Sequence, residues 1–376
     1  MANIALLHHT FIAGSGIDGV LYELGKRLAE RGHMVRVITQ RSDGSYLDIN
    51  TSVMSVIPVI AKSKVSAVVL PLETPMLRFV LSQYDVVHTQ LYPSSVIPIF
   101  PWKLHVKHVA TSWGVQDVGN SVTERLYTKL LRRAENYVVR KADIVLAGCE
   151  STRRELRKIR PDVKTLYQYG IDFDFLCEQN ARPGDLAEKY PVINGKRVLL
   201  FIGRNSPHKR IDLLIKMMNL VQDKKVMLVI VGRQDFRQHQ MYLEELVRRY
   251  GLKDRVLFTG VAPRSEIPSW YARCEMFVNA SVWEGFLIPE AFALRKPIVA
   301  YAVDAHEEVL GNDRGLLVKD ATPLGFALAV KSLLDNPSRT ERLGENGYRW
   351  ARENLDYDKI TDNWEKIVFG GQECQD

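Results

Sequence analysis

The chain has 376 residues, 46% of them hydrophobic and 25% charged, and a formal charge of +7. That composition fits a globular protein of about two domains and excludes a fibre or a disordered chain. No apolar run approaches the roughly 20 residues that cross a bilayer, no secretory pattern opens the chain, and Cys149, Cys177, Cys274 and Cys374 form no C-x-x-C pair, so a cytoplasmic protein without a disulfide framework or a zinc site is expected.

In chain order, the apolar runs "NIALL", "VRVIT", "DVVHT", "HVKHVAT" and "DIVLAG" read as strands, with helical patterns between them such as 19–31. This is the signature of β-α units building a parallel sheet. Gly14, Gly16 and Gly19 follow the first run in the spacing G-x-G-x-x-G, which raises a dinucleotide-binding reading. Two features oppose it. "HHTFIA" separates the strand from the first glycine, and "VRVITQR" ends in Gln40 and Arg41, where an acidic residue would hold a ribose. The loop is read instead as a longer cleft loop whose glycines admit a phosphate.

From Lys103 to Lys164 there are 14 Lys or Arg against 7 Asp or Glu, an excess that matches the whole formal charge of +7. Within it, "VTERLYTKLLRRAENYVVRKA" carries Val122, Leu126, Leu130, Ala134 and Val138 on one helical face, with cations around the rest. Such a helix either packs normally with a solvated basic face or lies peripherally on an anionic membrane through 121–141. Nucleic acid is not expected, because interleaved aromatics are missing from the basic region.

Strand candidates begin again with "RVLLFIG", "VMLVIVG", "RVLFTG", "MFVNAS" and "PIVAY", and the last helical segment carries Ile360, Trp364, Ile367 and Val368 at helical spacing, so it should dock on an apolar surface. Two Rossmann-like domains in tandem follow, joined across the polar stretch broken by Pro183, Gly184, Pro191 and Gly195. Ligands of doubly wound domains sit beyond the carboxyl ends of the strands. There Arg204 and Lys209, in "GRNSPHKR" before a helical pattern, form a phosphate clamp in which helix-end N–H groups add to the side chains; a solvated cationic loop is the competing explanation. After "MFVNAS", Glu284 lies beside Gly285, which allows close backbone approach. Glu290 follows Pro289 in the expected first turn of a helix, where the dipole alone would favour a carboxylate.

"GRNSPHKRIDLLI", "RVLFTGVAPRSEIPSWYARCEMFVNAS" and "WEGFLIPEAFALRKPIVAY", in this order, resemble the nucleotide-sugar domain of glycosyltransferase family 4, retaining enzymes with the GT-B fold. "GSGIDGVLYELGKRLAERGHMVRVIT" is similar to that family's first loop and helix. The resemblance implies an α/β GT-B chain: two Rossmann-like domains facing each other across a cleft, acceptor-binding 1–178 and nucleotide-sugar-binding 179–356, with a C-terminal helix at about 357–376 crossing back to the first.

It also implies roles for single residues. Arg204 and Lys209 match the pair on the donor diphosphate, and Gly16 matches the loop glycine whose N–H approaches it from the opposite domain. Glu284, with the backbone of Gly285, Phe286 and Leu287, matches the segment around the donor sugar, so Glu284, Arg204 and Lys209 are the catalytic candidates. Gly203 and Gly260 join the donor-binding set, and Glu290 matches the ribose carboxylate. The expected activity is transfer of a sugar from a nucleotide sugar to a saccharide, lipid-linked or small-molecule acceptor, with no metal and no cofactor beyond the donor substrate. The one D-x-D, Asp172-Phe173-Asp174, falls in the family's approach to the linker and is read as structural.

Two departures stand out. Five residues separate Glu284 from Glu290, two fewer than in the family, which changes the local geometry at about 100° per helical residue. Trp113 occupies the family's His position in "TSWG"; an indole cannot exchange a proton as imidazole does, and it is expected to stack on a sugar or lipid. Asp18, His88 and Trp113 are the acceptor-side candidates. A catalytically impaired homologue that binds nucleotide sugar or supports a partner, a GT-B nucleotide-sugar epimerase and a dinucleotide oxidoreductase are the alternatives.

Overall fold

A computed structural model describes residues 1–11, 16–42, 54–58, 75–90, 94–113, 122–167, 169–234, 236–281, 289–320 and 322–370; at 10, 40–42, 54–58, 122–127 and 304–305 only the backbone is considered. The chain forms two compact units, Met1–Gly170 with Tyr357–Asp376, and Ile171–Asp356. The first unit therefore ends before the expected 178. Ile171 already belongs to the second unit, where its N–H donates to Leu355 O at 2.7 Å and it bridges Asp356.

The first unit is built on β1 (Asn3–Phe11), β2 (Met34–Ser42), β3 (Met54–Pro58), β4 (Val86–Gln90), β5 (Lys107–Ser112), β6 (Ile144–Ala147) and β7 (Lys164–Thr165). Among the described residues they form one parallel sheet in the order β3-β2-β1-β4-β5-β6-β7. Side chains on a strand alternate between faces, and β1 is apolar on both. Ile4 and Leu6 pack with Leu21, Leu24 and Leu28 of α1 (Gly16–Glu30), whereas Ala5 and Leu7 pack with Leu77 and Leu81 of α2 (75–81). A strand buried on both faces reads as a continuous apolar run, which is why "NIALL" is unbroken.

Ile360, Trp364 and Val368 of α12 (Tyr357–Phe369) join the core on the α1 side. The last helix thus docks on the N-terminal unit, as expected. Along its exposed edge Arg31 pairs with Asp362 at 2.7 Å and with Glu365 at 2.5 Å.

In the second unit β8 (Arg197–Ile202), β9 (Val226–Val231), β10 (Val256–Gly260), β11 (Met276–Asn279), β12 (Ile298–Tyr301) and β13 (Leu316–Val318) form a parallel sheet ordered β10-β9-β8-β11-β12-β13. Leu199 and Phe201 pack with Ile211, Leu214 and Met218 of α6 (Ile211–Leu220), and with Phe326 and Val330 of α10 (Pro323–Leu334); α5 (Pro183–Lys189), α9 (Asp304–Leu310) and α11 (Pro337–Asn354) also belong to this unit, and α4 (Glu150–Arg157) to the first.

The amphipathic run in the basic stretch is α3 (Val122–Lys141); the side chains of Val122 and Leu126 lie outside the described residues, and of the rest of the expected stripe Val138 is buried and Ala134 half-buried but Leu130 is not. Thr128, Val138 and Val139 are buried, whereas Leu130 is 56% exposed beside the exposed Lys129, Arg132 and Arg133.

Candidate functional site

Both sheets are doubly wound, and their strand order reverses between β1 and β4 in one and between β8 and β11 in the other. Loops leaving such a pair diverge and open a crevice. In the second unit the loop after β8 carries Gly203, Arg204 and Lys209, and the segment after β11 leads to Glu290.

At β8, β9 and β10 this edge carries no side chains. Gly203, Gly232 and Gly260 close β8, β9 and β10; Gly203 N–H donates to Val231 O at 2.9 Å and Gly232 N–H to Gly260 O at 2.8 Å. A Cβ on Gly232 would lie 1.9 Å from Gly203 O, so only glycine fits, and Gly260 needs its freedom for a φ of +72°. Gly232 was missed by sequence reasoning, although "VMLVIVG" ends as "RVLLFIG" does.

Arg204 is exposed and Lys209 partly buried; they flank a short loop that ends in the 3-10 turn Pro207–Lys209 before α6. The loop is anchored from below. Asn205 N–H donates to Arg233 O at 2.9 Å, its side-chain Nδ2 donates to Gln240 Oε1 at 2.9 Å, and Gln240 Nε2 in turn donates to Glu244 Oε1 at 2.7 Å. Asn205 and Gln240 were not singled out, because a buried amide pair between a loop and α7 (Arg237–Arg249) leaves no periodic signal.

Glu284, Gly285, Phe286 and Leu287 lie outside the described residues. Glu290 opens the 3-10 turn Glu290–Leu294, not the expected helix turn. A helix dipole therefore does not account for its carboxylate. Tyr271 on α8 (Ile267–Arg273) does the holding, its hydroxyl donating to Glu290 Oε2 at 2.8 Å. Burial raises the Glu290 pKa above the usual carboxylate range and the Asp172 charge adds to it, against the Tyr271 bond and Arg264. Asp172 itself accepts from Phe175 N–H at 3.1 Å and faces Arg264 at 3.4 Å, so the first aspartate of the D-x-D is taken up locally. Among the described residues no group of three or more His, Cys, Asp or Glu is placed to hold a metal ion.

The acceptor-side candidates of the first unit prove to be enclosed. His88 and Asp18 are both 0% exposed. The Trp364 indole N–H donates to His88 Nδ1 at 3.2 Å, and His88 Nε2 lies 2.8 Å from Thr111 Oγ1 and 3.2 Å from the Gln90 amide nitrogen. An imidazolium would turn an N–H against the indole N–H, and burial lowers the pKa of His88 to about 3. His88 thus pins α12 to the sheet instead of meeting an acceptor. Asp18 sits 3.6 Å from His8 Nε2; His8 donates from Nδ1 to Gln90 O at 3.2 Å and is kept neutral, with a pKa of about 3, mainly by burial.

Trp113 is 8% exposed, so the expected stacking platform is a packing element. Its indole N–H donates to Gln90 Oε1 at 2.9 Å, and its ring lies 4.6 Å from Tyr169. A Cβ on Gly148 would come within 2.5 Å of the indole, and one on Gly16 within 3.1 Å of Tyr169. Gly16 therefore starts α1 beneath a tyrosine ring. Gln90, the residue that ties Trp113 and His8 together, was missed; its position at the carboxyl end of β4 was the available signal.

Among known proteins, the model of Glycosyltransferase Family 4 matches residues 14–222 and that of Glycosyl transferases group 1 matches residues 185–350. The chain is 29% identical over 232 residues to alpha-D-kanosaminyltransferase of Streptomyces kanamyceticus, a match spanning 59% of this chain and only 59% of that relative's length. It is 26% identical to D-inositol 3-phosphate glycosyltransferase of Kineococcus radiotolerans, covering 90% of this chain and 86% of that one. Among solved structures, Anabaena HepE in complex with UDP and glucose superimposes with a TM-score of 0.81 at 20% identity, covering 98% of this chain and 100% of that one. The fold is that of GT-B glycosyltransferases. Among the described residues no helix is long and apolar enough to cross a membrane.

Proposed function

We propose that this chain, which belongs to glycosyltransferase family 4 and is a glycosyltransferase, uses a nucleotide sugar as donor, transfers the sugar with retention of anomeric configuration and needs no bound metal. The observation that carries this reading is the arrangement at the β8/β11 reversal: a cationic loop bearing Arg204 and Lys209 over glycine strand ends, with Glu290 leaving the neighbouring strand. The relative whose structure holds UDP and glucose shares this fold.

In this mechanism the second unit holds the nucleotide sugar and the first the acceptor. Arg204 and Lys209 stabilise the negative charge that grows on the leaving diphosphate, and do so without reorganisation because Asn205 and Gln240 already anchor their loop. Glu290 accepts from a ribose hydroxyl. Glu284 and the backbone of Gly285, Phe286 and Leu287 line the donor sugar, an assignment that rests on the family resemblance. Attack from the face of the departing phosphate lets that phosphate take the acceptor's proton. The acceptor is a saccharide, a lipid-linked glycan or a small molecule, and the exposed cations of α3 suit an anionic membrane surface.

Release of nucleoside diphosphate from a panel of UDP, GDP and ADP sugars tests the reading. One donor should be turned over, and Arg204→Ala and Lys209→Ala should each slow that turnover by about 10²–10³-fold. Rates unchanged in both variants would refute the clamp.

A further inference from the structure

Sequence and fold leave open how Glu290 keeps a fixed direction. The 3-10 turn that begins with it is five residues long, Glu290–Leu294, and is followed by Arg295 in a left-handed conformation at φ 53°. So short a turn, with the poorer hydrogen-bond geometry of its class, gives little rigidity to its first residue. Tyr271 supplies what the turn lacks. Its ring is 2% exposed and lies 6.0 Å from that of Phe277 on β11, so the hydroxyl is delivered from a packed body. Burial and the nearby Glu290 charge push the phenol pKa well above its ordinary value, so the hydroxyl keeps its proton and donates.

We propose that Tyr271 is a positioning residue for the donor nucleotide: by occupying Glu290 Oε2 it turns the other carboxylate oxygen, Oε1, toward a hydroxyl donor of the ribose. Among the described residues Oε1 has no hydrogen-bond partner, and Arg264, which faces Asp172 at 3.4 Å, adds positive charge on the same side of the unit. The inference rests on the reading of Glu290 as the ribose carboxylate. It adds that this carboxylate works only when held by the phenol.

The test compares the affinity of the full chain for UDP, GDP and ADP with that for their 2′,3′-dideoxy counterparts, using whichever base binds. A hydrogen bond to a charged group should make the dideoxy form about tenfold weaker or more in the unmodified protein. In Tyr271→Phe, which keeps the ring and removes the donor, this ratio should fall below about threefold, with the melting temperature recorded as a check on folding. Tyr271→Met, which fills much of the volume without a donor, takes the same assay if the phenylalanine variant does not fold. Glu290→Gln should abolish the discrimination. A full ratio in the unmodified protein that survives in both Tyr271 variants overturns the positioning role alone. No discrimination in the unmodified protein overturns the ribose reading of Glu290, and this inference with it.

Discussion

Trp364 Nε1 and His88 Nδ1 form a bond whose two ends have no alternative partner in water, since both residues are 0% exposed. Replacing Trp364 by Phe keeps most of the ring and leaves the imidazole lone pair buried and unmet, which costs about 1–3 kcal/mol. Trp364→Ala removes the ring as well and should cost about 3–5 kcal/mol. Urea midpoints of the two variants against the unmodified protein measure this, and a Trp364→Phe midpoint equal to that of the unmodified protein would mean that the bond contributes nothing. The residues singled out from sequence at the carboxyl edge of the second sheet, Gly203, Arg204, Lys209, Gly260 and Glu290, sit in segments whose motif order carried them. Gln90, Asn205, Gln240 and Tyr271 were not foreseen, because each acts through a partner far away in the chain: Tyr271 bonds a residue 19 positions later, and Asn205 one 35 positions later.

At the scale of elements, the buried strands were plain in the sequence, since β9 is apolar throughout and β1, β4 and β8 carry apolar runs at 4–7, 86–87 and 198–202. The edge strands β3, β7 and β13 were not. β7 and β13 are short, at 2 and 3 residues, and partly exposed, so they have neither length nor a two-faced core to mark them, and β3 is a run of 5 residues that ends in Pro58. The 3-10 turn at Glu290 was read as a helix turn because Pro289 precedes it and suits a first helical turn. The docking of α12 illustrates how the terms rank. The exposed pairs of Arg31 with Asp362 and Glu365 contribute about 0–1 kcal/mol each, less than the roughly 2 kcal/mol from burying Ile360 or Val368. Arg31→Ala should therefore leave the melting temperature almost unchanged. Gly232→Ala belongs to this scale too, because its Cβ would meet Gly203 O at 1.9 Å and displace two strand ends at once. The expected result is a loss of more than about 3 kcal/mol or of soluble protein, read from expression and thermal melting; a normal melting curve would show that the strand ends can part.

For the molecule as a whole, acid acts unequally on the two units. His8, His88 and His108 all lie in the first, and burial is the largest cause of their depressed pKa, about 3 against an ordinary 6.5. Below about pH 6.5 the unfolded chain takes protons that the folded one refuses. The stability these residues confer is thus complete above that pH and declines as pH falls toward 3. The slope is up to about 1.4 kcal/mol per pH unit for each histidine. Calorimetry between pH 7.5 and about pH 5 should show the transition of the first unit moving down more than that of the second; a pH-independent first transition would contradict the enclosed, neutral histidines.

The central requirement of the proposed mechanism is a donor diphosphate held by side chains at the β8/β11 reversal. Phosphorus NMR of the protein incubated with UDP, GDP and ADP sugars in excess EDTA, long enough for water to take the sugar in place of an acceptor, reads this directly. Release of nucleoside diphosphate from at least one donor, undiminished by EDTA and lost in Lys209→Ala, is the predicted result. No release from any donor, or release that EDTA abolishes, would contradict it.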